Sequence, residues 1–110
     1  MFSETTKAKL EFVQLMIDNI DQIQERHESL EIALNDFEGQ PAILMCLMQI
    51  GESLIKIKEK EITDKFPVDL AYRMRNIIAH DYLGIDLEII SDTIQHDLQK
   101  IKTTISDLLS

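Results

Sequence analysis

LEIISDTIQHDLQKIKTTISDL, residues 87–108, is the stretch that decides the fold. Its apolar members Leu87, Ile90, Ile94, Leu98, Ile101, Ile105 and Leu108 recur at steps of three and four residues, the spacing that lines one side of an α-helix. A seam that runs so far is stable only against other helical surfaces. Just upstream, Ile85-Asp86-Leu87-Glu88 reads as the helix start. Asp86 suits the N-cap, Glu88 complements the positive end of the helix dipole, and Ile85 can staple onto Ile90. Gly84 is placed to end the element before it.

Working back along the chain, Pro67 opens a helix expected to run to about Ala79 or His80, and Pro41 suits the first turn of another. Ala42 through Ile50 is apolar on nearly every side, as in a central helix buried by several neighbours; one of its faces can equally be a dimer interface. Polar residues return from Glu52 to Ile57, Lys58-Glu59-Lys60-Glu61 is a charged exit, and Ile62 to Phe66 a linker. Nearer the amino terminus, Leu10, Val13, Met16 or Ile17, Ile20 and Ile23 form an amphipathic stripe, with Asp18, Asp21 and Glu25 on the wet side. Ser29 to Asn35 can form a short helix, and Asn35 to Gly39 reads as a loop. There is no repeat, low-complexity tract or second domain. The expectation is an all-α, four-helix bundle with a short extra helix, one domain over residues 1–110.

Composition agrees. Three Gly and two Pro in 110 residues leave few breaks, and Leu, Ile, Met, Glu, Lys and Gln favour helix. A net charge of −9 argues against a broad basic surface gripping nucleic acid through many phosphates, and against an anionic membrane. Neither DNA nor a membrane is an expected partner, and any nucleic-acid contact is local. The single cysteine, Cys46, lies among apolar neighbours and reads as a buried small hydrophobe in a reducing cytoplasm. Met45, Met48 and Met74 read as core, and His27 and His96 as solvated. No apolar signal core or spanning segment marks the chain for export or insertion. No cofactor or metal is expected, and neither His27 nor His96 has a ligand partner at metal-site spacing.

Chemistry concentrates in Arg75-Asn76-Ile77-Ile78-Ala79-His80-Asp81-Tyr82. A permanent cation, a group that titrates near neutrality and a phenol together can bind and cleave a phosphodiester. At about 100° per residue, Arg75 and His80 point roughly 140° apart on one unbroken helix, whereas Asn76 and His80 can touch. Either the helix loosens near His80 or a second subunit completes the site. Two copies about a two-fold axis would bring two guanidinium and two imidazole groups to one cleft. That set supplies a base, an acid and positive charge for the phosphate.

Arg75, His80 and Tyr82 follow the Arg-x4-His-x-Tyr pattern and so resemble the HEPN superfamily. Arg75-Asn76, His80-Asp81-Tyr82, Gly84-Ile85-Asp86 and Gly51-Glu52 are similar to its HepT branch, the toxin half of the MntA–HepT toxin–antitoxin modules. The resemblance implies a small helical homodimer acting as a metal-independent endoribonuclease, with Arg75 and His80 catalytic and Asn76 supporting. It further implies a nucleotidyltransferase antitoxin, MntA, that transfers AMP to Tyr82. Glu52 has two readings: an exposed helical ion pair with Lys56, or a buried partner that orients Arg73 or Arg75. Tyr82 can instead cap the bundle, ring buried and hydroxyl wet. The alternative function is a non-catalytic helical subunit that presents a substrate or nucleotide to a companion nucleotidyltransferase.

Overall fold

Three helices begin where the side chain of the N-cap residue accepts from an otherwise unpaired backbone N–H of the first turn. The computed structural model describes residues 2–77 and 86–110. Helix α1 (Glu4–Arg26) is capped by Ser3, whose Oγ accepts from the Thr6 N–H at 3.1 Å. It buries Leu10, Val13, Met16, Ile17 and Ile20, so both residues at the open step of the stripe face inward. Helix α2 (Leu30–Leu34) is the short expected one, capped by Ser29.

Asp36 closes the next turn, its Oδ2 accepting from Glu38 N–H at 2.9 Å and Gly39 N–H at 2.8 Å, and α3 (Gly39–Ile55) follows with Pro41 in its first turn. Gly39 therefore begins the helix instead of ending the loop. A second short helix, α4 (Lys60–Thr63), lies where the sequence suggested only a charged exit and linker. Its apolar anchor is Ile62, buried in the core.

Pro67 does open the next helix, α5 (Val68–Arg75), but Asn76 caps it, so it stops short of the expected Ala79 or His80. Asp86 Oδ1 accepts from Glu88 N–H at 2.9 Å and starts the last helical run, α6 (Leu87–Asp92), as its sequence implied. Gly84 and the staple from Ile85 fall outside the described residues. The run widens into a π-helical turn over Thr93–Asp97, where Leu98 N–H reaches back to the Thr93 carbonyl, and continues as α7 (Leu98–Leu109). The seam takes two successive four-residue steps here, from Ile90 through Ile94 to Leu98, which in a regular helix would rotate the stripe by about 80°. A wider turn absorbs that drift, and all three side chains stay buried.

The four main helices are thus α1, α3, α5 and the α6–α7 run. α3 lies between α1 and α5, α1 also packs on α7, and α2 bridges α1, α3 and α6 around one connected core. Among the described residues no helix is long and apolar enough to cross a membrane. Met74 and Cys46 are core residues as expected, and burial pushes the Cys46 thiol up. Met45 is not: it is 43% exposed, on the side of α3 left open between its neighbours.

The amino terminus is tied down by Glu59, just before α4. Its Oε1 accepts from Thr6 Oγ1 at 2.6 Å and its Oε2 from Ser3 N–H at 3.0 Å. The Thr6 hydroxyl and then the Ser3 amide hold this carboxyl well down, at about 2.

Candidate active site at the end of α5

Helix α5 turns Leu70, Ala71 and Met74 into the core and leaves Asp69, Tyr72 and Arg73 exposed, with Arg75 half-buried at its last turn. Its seat on α3 is unusually close. A Cβ added to Gly51 would lie 2.4 Å from the Ala71 carbonyl oxygen and 2.5 Å from the Arg75 backbone nitrogen. Only a hydrogen at Gly51 lets the two backbones meet this way, so Gly51 fixes the height at which Arg75 leaves the helix.

The Arg75 guanidinium is held on two sides. Its central carbon sits 5.0 Å from the centroid of the Tyr72 ring, one turn earlier, and its Nε–H donates to Asn76 Oδ1 at 3.3 Å. Nε is engaged by Asn76, and a guanidinium also carries terminal Nη–H donors, the fork suited to an oxyanion. Asn76, expected to support His80, supports Arg75 and caps the helix. His80 and Tyr82 lie outside the described residues, as does any contact between His80 and Asn76.

Glu52 takes the plainer of its two readings. It pairs with Lys56 at 3.1 Å, both side chains about half exposed, and forms no ion pair with Arg73 or Arg75. Tyr72 was the residue that motif reasoning passed over; its signal was the three-residue step to Arg75, the spacing of neighbours on a helix surface. Tyr72 also lines a cavity of about 200 Å³ together with Leu54, Ile55, Thr63, Phe66, Pro67 and Ala71.

Of the other histidines, His96 is exposed beside Asp92 as expected. His27 departs from expectation. It is half-buried at the end of α1, where Nδ1–H donates to the Ile23 carbonyl at 2.8 Å and Nε2 lies 3.2 Å from Asp36 Oδ2. The Ile23 carbonyl, and then Asp36, raise its pKa, since a protonated ring donates to both. Asp36 is lowered, first by the Gly39 and Glu38 amides it caps. This clasp joins the end of α1 to the start of α3, far from Arg75. Among the described residues no three His, Cys, Asp or Glu side chains gather as a metal-ligand set.

Comparison with known proteins gives a family. Residues 15–108 match the family described as ribonuclease HepT-like. Two proteins of Methanocaldococcus jannaschii, provisionally named as the RNases MJ1216 and MJ0125, are similar. The first is 31% identical over 100 residues, covering 87% of this chain and 80% of the relative. The second is 35% identical over 65 residues, covering 56% of this chain and 54% of the relative. Tropomyosin-1 of Hydra vulgaris is 24% identical over 102 residues, 84% of this chain and 40% of the tropomyosin, and carries no argument about function. The chain thus spans about half the length, or less, of two of these three relatives. No solved structure gives a significant match.

Proposed function

The chain belongs to the HepT-like ribonuclease family, and from that premise we propose that it is a metal-independent endoribonuclease toxin acting through Arg75 and His80. The observation that carries this reading is the Arg75 guanidinium held between Tyr72 and Asn76 at the end of α5, five residues before His80. A cation restrained before substrate arrives loses little freedom on gripping a phosphate.

The active unit in this reading is a homodimer whose two copies of Arg75 and His80 meet in one cleft. Phe12 and Leu15 on α1 and Met45 on α3, at 36%, 53% and 43% exposure, are apolar surface that a second copy would cover. One imidazole takes the proton from the 2′-hydroxyl, and the 2′-oxygen attacks phosphorus. The bond to the 5′-oxygen breaks as that oxygen receives a proton from the second imidazole. Arg75 carries the charge that builds on the phosphate oxygens in between. The products are a 2′,3′-cyclic phosphate and a 5′-hydroxyl end.

Regulation falls to a partner nucleotidyltransferase acting as antitoxin. The Tyr82 phenol oxygen displaces pyrophosphate from ATP and loses its proton, leaving AMP on the ring. An anionic group two residues from His80 competes for Arg75 and fills the cleft. The test is incubation of the purified chain with end-labelled RNA in EDTA. Cleavage leaving cyclic phosphate ends supports the proposal; intact RNA, or ends carrying a 5′-phosphate, refutes it. Co-expression with the nucleotidyltransferase should add the mass of AMP to the Tyr82 peptide, and an unmodified peptide would remove this mode of control.

A further inference from the structure

We propose that the cavity beside Tyr72 is a nucleobase subsite, taking the base of the nucleotide whose phosphate Arg75 holds. The inference rests on the ribonuclease reading and deepens it. Tyr72 is shared between the two features: it lines the cavity and it carries the Arg75 guanidinium at 5.0 Å from its ring centroid. In a nucleotide one sugar separates the base from its phosphate, so a subsite for the base belongs beside the cation that holds the phosphate, and Tyr72 joins the two here.

The cavity's size and lining select the occupant. At about 200 Å³ it is smaller than the roughly 300 Å³ at which sites for drug-sized molecules begin, so it admits one ring system and no folded peptide segment. Leu54, Ile55, Phe66 and Pro67 offer apolar walls, the exposed Tyr72 ring offers a π-face for stacking, and Thr63 contributes a hydroxyl. Arg75, in contact with the lining residue Tyr72, is the cation beside the cavity. An apolar slot with an aromatic wall and a neighbouring guanidinium suits a base attached to a phosphodiester. With so few hydrogen-bonding groups, it selects by stacking and shape instead of reading a base edge, so cleavage tolerates several sequences.

Binding of a non-cleavable 2′-O-methyl RNA is compared with that of an equally long abasic strand, using the intact wild-type chain, Tyr72→Ala and Tyr72→Phe. Tyr72 is 43% exposed, so its truncation leaves the core intact. The subsite predicts that Tyr72→Ala weakens binding of the RNA about ten-fold more than it weakens binding of the abasic strand, and that Tyr72→Phe stays near wild type on both. Equal losses on both strands would mean that Tyr72 only positions Arg75, and the subsite falls. Unchanged RNA binding by Tyr72→Ala also overturns the subsite while leaving the ribonuclease reading standing. A wild-type chain that binds neither strand and cleaves no RNA overturns both.

Discussion

Replacing Gly51 with alanine tests whether the contact between α3 and α5 positions the active arginine. The new methyl carbon would meet the Ala71 carbonyl oxygen at 2.4 Å and the Arg75 nitrogen at 2.5 Å, with Met74 Cβ at 3.1 Å. The first two neighbours are backbone atoms, which cannot swing aside as a side-chain tip can. Restoring ordinary contact requires α5 to lift off α3 by about 1 Å, and overpacking of this kind costs about 1–3 kcal/mol. The better helix propensity of alanine offsets about 1 kcal/mol, so the net loss of stability is at most about 2 kcal/mol. Activity should fall further than stability implies, because a displacement of about 1 Å at a catalytic group can cost on the order of 100-fold. Urea denaturation followed by circular dichroism gives the first quantity, and the initial rate of RNA cleavage under fully folded conditions the second. A Gly51→Ala protein with wild-type stability and wild-type rate would refute the close-approach account.

Three further outcomes follow from the polar clasps and one strained residue. His27 is raised above its ordinary 6.5, so its contribution is complete below that pH and is lost as pH rises through the folded value. The urea midpoint should therefore fall from mildly acidic to mildly alkaline pH, and His27→Gln should flatten the fall; identical profiles would exclude the clasp. Glu59, lowered from 4.5 to about 2, contributes fully above its ordinary value and loses that contribution as pH drops through about 2. Glu59→Gln should be less stable than wild type near neutrality and converge with it in strong acid, measured by acid unfolding. Glu28 holds a left-handed backbone with φ 73° between α1 and α2. Glu28→Gly should raise stability by about 0.5–1 kcal/mol in urea denaturation, and a loss would mean the turn is not strained.

The helical architecture was legible because its signals are local and repeated. The seam from Leu87 to Leu108 has one dry side, and Asp86 precedes it in cap position, so both helix and start could be read within a few residues. Helix α4 was not legible: Lys60, Glu61, Ile62 and Thr63 are too few to show a period, and Ile62 becomes an anchor only once a core exists to receive it. The early end of α5 was hidden by an apolar, helix-compatible Ile77-Ile78-Ala79 that gives no stop signal.

At the proposed site, Arg75 and Asn76 were singled out by their motif, but what Asn76 touches depends on the helix ending at that residue. Tyr72 sits outside the motif and matters through a ring contact that only the folded helix makes. His27 looked solvated because its sequence neighbours are charged; its partner Asp36 arrives only after α2 folds the chain back. Glu59 and Thr6, 53 positions apart, leave no local trace of their contact.

The central claim is that Arg75 and His80 together cleave RNA, and parallel rate measurements on wild type, Arg75→Ala and His80→Ala test it most directly. With end-labelled RNA in EDTA, and with dimerisation and folding verified for each protein, either substitution should slow cleavage by about 100-fold or more. Cleavage at the wild-type rate by the folded His80→Ala or Arg75→Ala protein would contradict the account.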